Sequence, residues 1–371
     1  MKRKLYRLVK FLLTGFIVLL LVIGVEIALG WRCQLEGQIP RPTAQPEERK
    51  ATTANIKDYS RPPDDAYLSF PEWYIVWSYQ EKADFQQEHL PSGFPYLAAV
   101  RQYWSSYCCI SRLIRGKFGF NAGEQMMLVV IGTSFSAEYI LKGAYEKTIG
   151  KLSEWSSRHQ AVEEDQYAYR VARAYADFVH LRPFYEFHFL PYAKGLWRDT
   201  HLWGAHPLRK WERKIFLTVD YGLEAFYCWG IEKLTHATYG YEPTETYARI
   251  ENVDSSVLRE VPRVKKTQDA GERALIVDIP RYQEFTTIAQ ELAQRNVRFL
   301  EVAGNSQITV SVLALEGWRY GHPGAQELFS SPILTHPGQK RVLMGCDVAA
   351  LHTVLRTLRA DGVVVEHVYD F

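Results

Sequence analysis

The chain has 371 residues, with 44 basic and 42 acidic side chains, a net charge of +2 and 14% aromatic residues. Such a balance offers no basis for nucleic acid binding, which needs an excess of positive charge to meet phosphates. Five cysteines without a Cys-x-x-Cys pair make neither a disulfide framework, a zinc ribbon nor a thioredoxin-type redox site.

In chain order the first signal is also the strongest. Lys2, Arg3, Lys4, Arg7 and Lys10 form a basic flank over residues 1–10, followed by the uncharged apolar run FLLTGFIVLLLVIGV at 11–25. If Glu26 is accommodated, the apolar helix continues to Trp31, about 20 residues and enough to cross a bilayer core. Basic residues ahead of it would hold the N-terminus on the cytoplasmic side. The competing reading is a cleavable signal peptide, with Ala28-Leu29-Gly30 as a small-x-small site. Glu26 beside that site and bulky Trp31-Arg32 after it favour a retained anchor at 11–31. Cys33 lacks the small preceding residue of a lipoprotein. Either reading exports the rest of the chain.

Residues 32–66 are polar and proline-bearing with no helical or alternating period, and read as a flexible tether. About 300 residues remain, enough for two domains. The first, 67–245, reads as an all-α bundle. Ser69-Phe70-Pro71-Glu72 resembles a capping box opening a helix to Glu88. Further helices are expected over Tyr96–Arg115, from the Asn121 cap to Ile149, over Val162–His180, and over Pro207–Tyr239. A loop rich in aromatics and histidines (His180, His188, His201, His206) separates the last two. Vicinal Cys108-Cys109 lies in a helix, where neighbours diverge by about 100°, so a mutual bond would be strained. Small buried hydrophobes are the favoured role for most of the cysteines. High aromatic content suits either a lipid-contacting surface or an aromatic core.

Two stretches, Met126–Leu141 and Ile215–Ile231, are apolar but carry Glu138, Asp220 and Glu224 near their middles. Carboxylates there are costly in lipid, so both read as buried core helices, with shallow docking on a bilayer left open. The same carboxylates are the sharpest chemical feature. Asp220 and Glu224 are four apart on one helix face, where two carboxylates raise one another's pKa or hold a cation. Asp177 and His180 are three apart, and Glu232 and His236 four. Glu138, Asp177, His180, Asp220 and Glu224 are therefore the candidate catalytic acid-base groups. The alternative pairs each with a nearby base such as Lys142, Arg170, Arg173 or Arg101. No Glu-x-x-His, His-Glu-x-x-His, Gly-x-Ser-x-Gly, P-loop or dinucleotide fingerprint occurs, so no metal set and no cofactor is implied.

The C-terminal part, 246–371, changes period. Strands are expected at 274–279, 298–302, 307–315, 340–345 and 363–369, and helices at 282–296 and 348–360. That order suits a ferredoxin-like α/β sandwich, giving an α+β chain overall. It reads as a partner- or self-binding module.

Phe70-Pro71-Glu72-Trp73-Tyr74-Ile75-Val76, Pro91-Ser92-Gly93-Phe94-Pro95-Tyr96, Ile131-Gly132-Thr133-Ser134-Phe135 and Arg209-Lys210-Trp211-Glu212-Arg213 resemble segments of a group of uncharacterised bacterial membrane-anchored proteins. The resemblance covers roughly residues 67–240. It implies a bacterial inner-membrane protein with its bulk in the periplasm, and no activity or catalytic residue. Two functions follow as expectations. The first is a single-pass envelope protein acting as a structural, assembly or lipid-associated factor. The second is a membrane-surface enzyme acting on a hydrophobic substrate through the carboxylate and histidine groups.

Overall fold

A computed structural model describes residues 2–39, 53, 56–57, 59–238, 244–253, 255–270 and 274–370. The chain is mixed α+β, with an apolar N-terminal helix, a helical body and a C-terminal unit of two antiparallel sheets. Helix α1 spans Lys2–Gly30. Among the described side chains, Tyr6, Arg7, Val9, Lys10 and residues 13–18 are exposed, while Leu19, Val22, Ile23, Glu26, Ile27 and Gly30 form one sheltered seam at 3.6-residue spacing. That seam lies against the body, where Ile23 joins the main aromatic core. Glu26, the awkward carboxylate of the anchor, receives the Arg101 Nε at 2.9 Å.

The expected tether is not free where it is described. Cys33 is disulfide-bonded to Cys109, Glu36 and Gly37 donate their amides to the Leu328 carbonyl, and Ile39 is buried. Sequence reading missed this because a short extended strap has no period of its own; its order comes from the cross-link and from a sheet edge. Residues 40–52 of the tether fall outside the described residues.

Helix α2, Asp65–Glu88, starts one turn before the expected Ser69 cap. Ser69 Oγ instead donates to the Asp65 carbonyl at 2.7 Å, and Pro71 sits inside the helix. Helix α3 is Tyr96–Ile114. Helix α4, Ala122–Tyr145, starts as expected, with Asn121 Oδ1 accepting from the Glu124 amide. It does not stop at Gly150. A π turn, Glu146–Gly150, carries it into α5, Lys151–Ser156, and a Cβ on Gly150 would stand 2.5 Å from the Glu146 carboxylate. Helix α6 is Glu163–Val179. The expected aromatic loop contains a further helix, α7, Phe189–Asp199. Pro191 reads as a breaker, yet it falls in the first turn, where no intrahelical bond is lost. Helix α8 is Pro207–Thr238.

The C-terminal unit departs from a single ferredoxin-like sheet. Three strands were not legible: β1 Glu245–Glu251, β2 Lys265–Asp269 and β6 Ala325–Pro332. With β3 Ala274–Pro280, β4 Arg298–Val302, β5 Gln307–Leu315, β7 Gln339–Asp347 and β8 Val364–Val368, they make two four-stranded sheets. Their orders are β2-β3-β1-β4 and β6-β7-β5-β8. Helix α10, Gln283–Gln294, precedes β4, and α11, Leu351–Ala360, precedes β8; a short α9, Ser255–Glu260, precedes β2. Apart from the short α9, each half is therefore strand-strand-strand-helix-strand with the same pairing order, a structural repeat. Helices α10 and α11 pack together, and one aliphatic core runs through both halves, including Ile250, Val277, Val310, Met344 and Leu355. Strand β2 (KKTQD) hid because it is a charged edge, the composition that keeps edges from pairing with strangers.

The helical body and this unit share a seam. Thr309 Oγ1 donates to the Ala66 carbonyl at 2.6 Å, Phe70 meets Phe329 edge-on, and Arg341 lies over the Trp77 ring while pairing with Glu81 and Glu366.

Candidate functional site

Helices α4 and α8 run side by side, and their i,i+4 spacings bring two ladders of charge into register. Lys142 Nζ lies 2.9 Å from Glu138, 3.0 Å from Asp220 and 2.9 Å from Glu224. Glu138 and Glu224 accept hydrogen bonds from the ammonium, and Asp220 completes the cage as an ion-pair partner. Glu138 accepts a further bond of 2.6 Å from the Tyr79 hydroxyl of α2. Lys82, also on α2, lines the same small cavity of about 60 Å³ together with Tyr79, Tyr96 and Tyr175. Its ammonium stands 5.7 Å from the Tyr139 ring centroid.

The electrostatics follow from this geometry. Burial is the largest influence on Glu224 and, with Glu138 and Asp220 nearby, outweighs Lys142 and pushes its pKa up to about 7. Burial also acts on Glu138, but the two lysines and the Tyr79 bond prevail and hold it below the usual carboxylate range. Lys142 is driven well up by its three partners despite burial. Lys82, desolvated and facing Lys142, is shifted down. One site therefore holds a carboxyl that titrates near neutrality beside a stable ion pair. That arrangement can store or pass a proton. A metal would have to displace Lys142, whose ammonium already occupies the cation position. Among the described residues no group of three or more His, Cys, Asp or Glu side chains is arranged to hold a metal ion.

Of the five candidate residues, Glu138, Asp220 and Glu224 meet; Asp177 and His180 do not join them. Asp177 is on the surface, 3.1 Å from Arg173 of the preceding turn. His180 bonds the Ala176 carbonyl through Nδ1 at 2.7 Å and stands at the seam with the C-terminal unit, where Gln283 donates its amide to the His180 carbonyl. The neighbouring His367, stacked 3.6 Å from Trp73, is held by burial well below the usual histidine range. Of the loop histidines, His201 pairs with Glu163 and His206 with Gln160, both exposed or nearly so. The side chain of His236 lies outside the described residues.

A second charged centre was not foreseen. Arg209, Lys210, Arg213 and Lys214 open α8 and are all buried. Arg209 reaches Asp165 at 2.8 Å, Glu212 at 3.1 Å and Ser153 at 2.7 Å. Arg213 reaches Glu146 at 2.7 Å and Asp165 at 3.1 Å. Lys210 and Lys214 hold Glu164 at 3.1 and 3.2 Å. A sequence signal did exist. Four bases in a helix's first two turns oppose its dipole, so they need acids, and Glu163-Glu164-Asp165 supply them from the N-terminus of α6.

No family model, curated protein or solved structure matches this chain.

Proposed function

We propose that the chain is a single-pass envelope protein whose α1 is a retained membrane anchor and whose body is a structural, assembly or lipid-associated factor. The carrying observation is that the last three turns of α1 are built into the body. Glu26 has its own arginine, Gly30 lies so close to α3 that a Cβ would stand 2.8 Å from the Ser105 amide nitrogen, and Cys33 is cross-linked to Cys109 just beyond. A segment destined for removal has no use for such packing. The basic residues in the first turns of α1 and the disulfide after it support a cytoplasmic N-terminus and an oxidising compartment for the bulk, the bacterial periplasm.

Intact mass of the protein from washed membranes tests this. The expected species begins at the native N-terminus and resists alkaline extraction. A soluble species beginning near Trp31 would overturn it. An alkaline phosphatase fusion after Phe371 should be active on the exported side.

The Glu224 carboxyl, near neutrality in a tyrosine-lined cavity, favours a second reading, an enzyme acting at the membrane surface on a hydrophobic substrate. Under it Glu224→Gln abolishes turnover while the fold persists; under the first reading that variant alters stability and leaves function in cells intact.

A further inference from the structure

The outer faces of α4 and α8 are as apolar as their shared inner face is charged. On α4, Val130 and Leu141 are 54% and 61% exposed; on α8, Ile215, Val219, Leu223 and Phe226 are 57%, 56%, 64% and 70% exposed. On α8 these recur every three or four residues, which makes a single stripe. Between Met126 and Ala144, and between Ile215 and Gly230, the charged residues are Glu138, Lys142, Asp220 and Glu224. All four turn inward to the cage. The expectation of buried core helices, with shallow docking left open, is met on one face only: each helix has one buried face and one bare one. Soluble monomers rarely expose apolar patches beyond a few hundred Å². The C-terminal unit shows the ordinary pattern, with Leu315 and Val364 its large exposed hydrophobics among the described residues.

We infer that this face lies against the acyl chains of the same bilayer that holds α1. The inference rests on the reading of α1 as an anchor and extends it from one helix to three. Helix α1 packs on α3 and also touches α4, and its outward Leu20, Leu21, Val25 and Leu29 are exposed like the α4 face. A medium that solvates one reaches the other. A second copy of the chain would require the apolar surfaces of two touching helices to sit in different media. Beyond α4 exposed Lys147 and Lys151 are interspersed with exposed Ile149, Leu152 and Trp155, and the long stems of the lysines suit a headgroup layer. With acyl chains outside, the Lys142 cage becomes an inner polar seam shielded from lipid by its own two helices.

The test uses the full chain carrying one fluorophore on an introduced cysteine, since Cys108, Cys228 and Cys346 are buried. Leu223→Cys, Val130→Cys, Leu21→Cys and Leu315→Cys are labelled and reconstituted into phosphatidylethanolamine–phosphatidylglycerol vesicles. Each is then quenched with doxyl-labelled phospholipid or with aqueous iodide. The expected result is loss of most fluorescence to doxyl lipid at positions 223, 130 and 21, and to iodide alone at 315. Iodide quenching at 223 and 130 with lipid quenching at 21 would overturn the inference and leave the anchor standing. Iodide quenching at 21 as well would overturn both. Shielding of 223 and 130 from both quenchers would mean that protein covers the face, and would also overturn the inference.

Discussion

The two halves of the molecule solve the problem of burial in opposite ways. The C-terminal unit is built mainly on aliphatic side chains buried between sheets and helices, and its buried charges, such as Arg281 with Asp370 and Arg341 with Glu366, form isolated pairs rather than clusters. The helical body places arginines, lysines and carboxylates inside, around Arg209 and around Lys142, and leaves leucines and aromatics bare. Desolvating ions is expensive unless each is paired, so the body's stability depends on completeness of pairing, whereas the other unit depends on completeness of packing.

The contrast breaks first at Arg209. Arg209→Met leaves Asp165, Glu154 and Glu212 without their shared guanidinium and should cost about 3–5 kcal/mol, read as a lowered thermal midpoint in mild detergent. A loss below about 1 kcal/mol would mean that water already reaches the cluster. Its packing counterpart is Phe285→Ala, at a fully buried ring beside Phe299, with about 3–5 kcal/mol expected. High salt should leave the second deficit unchanged and reduce the stability of neither buried cluster appreciably.

Next is the covalent link. Cys33 and Cys109 close a loop with a sequence separation of 76, so Cys33→Ser should cost about 2–4 kcal/mol, seen as a lower midpoint that reductant no longer changes. The smallest effect sharpens the comparison through pH. Glu224 has its folded pKa raised to about 7 from 4.5, so the fold favours its neutral form. Its contribution is greatest below pH 4.5 and is lost as pH rises toward 7, by about 3 kcal/mol at most. Glu224→Gln should flatten that part of the stability–pH curve. A curve of unchanged slope would show that this carboxyl ionises freely.

What the sequence made legible divides along the same line. Helices α3, α6 and α8 and strands β3, β4, β5 and β7 follow from period and punctuation, because local pattern and burial agree there. Three of the cage carboxylates were readable from their apolar surroundings. Lys142 as their common partner was not, since helix pairing across 82 residues leaves no local trace. Asp177 and His180 were proposed on i,i+3 spacing alone, and spacing does not say which face meets the body. Strands β1, β2 and β6 escaped for a different reason: they carry charged or small residues and gain order by hydrogen bonding to neighbours that do read as strands. Without them the duplicated strand order collapsed into one ferredoxin-like sheet.

The strap after α1 has a consequence for height. Gly37 bonds the Leu328 carbonyl on β6, seven residues past the end of α1 at Gly30, and seven extended residues reach at most about 25 Å. The second β-sheet is therefore moored within that distance of the C-terminal end of α1, and under the proposed anchoring its rim would sit close above the lipid headgroups.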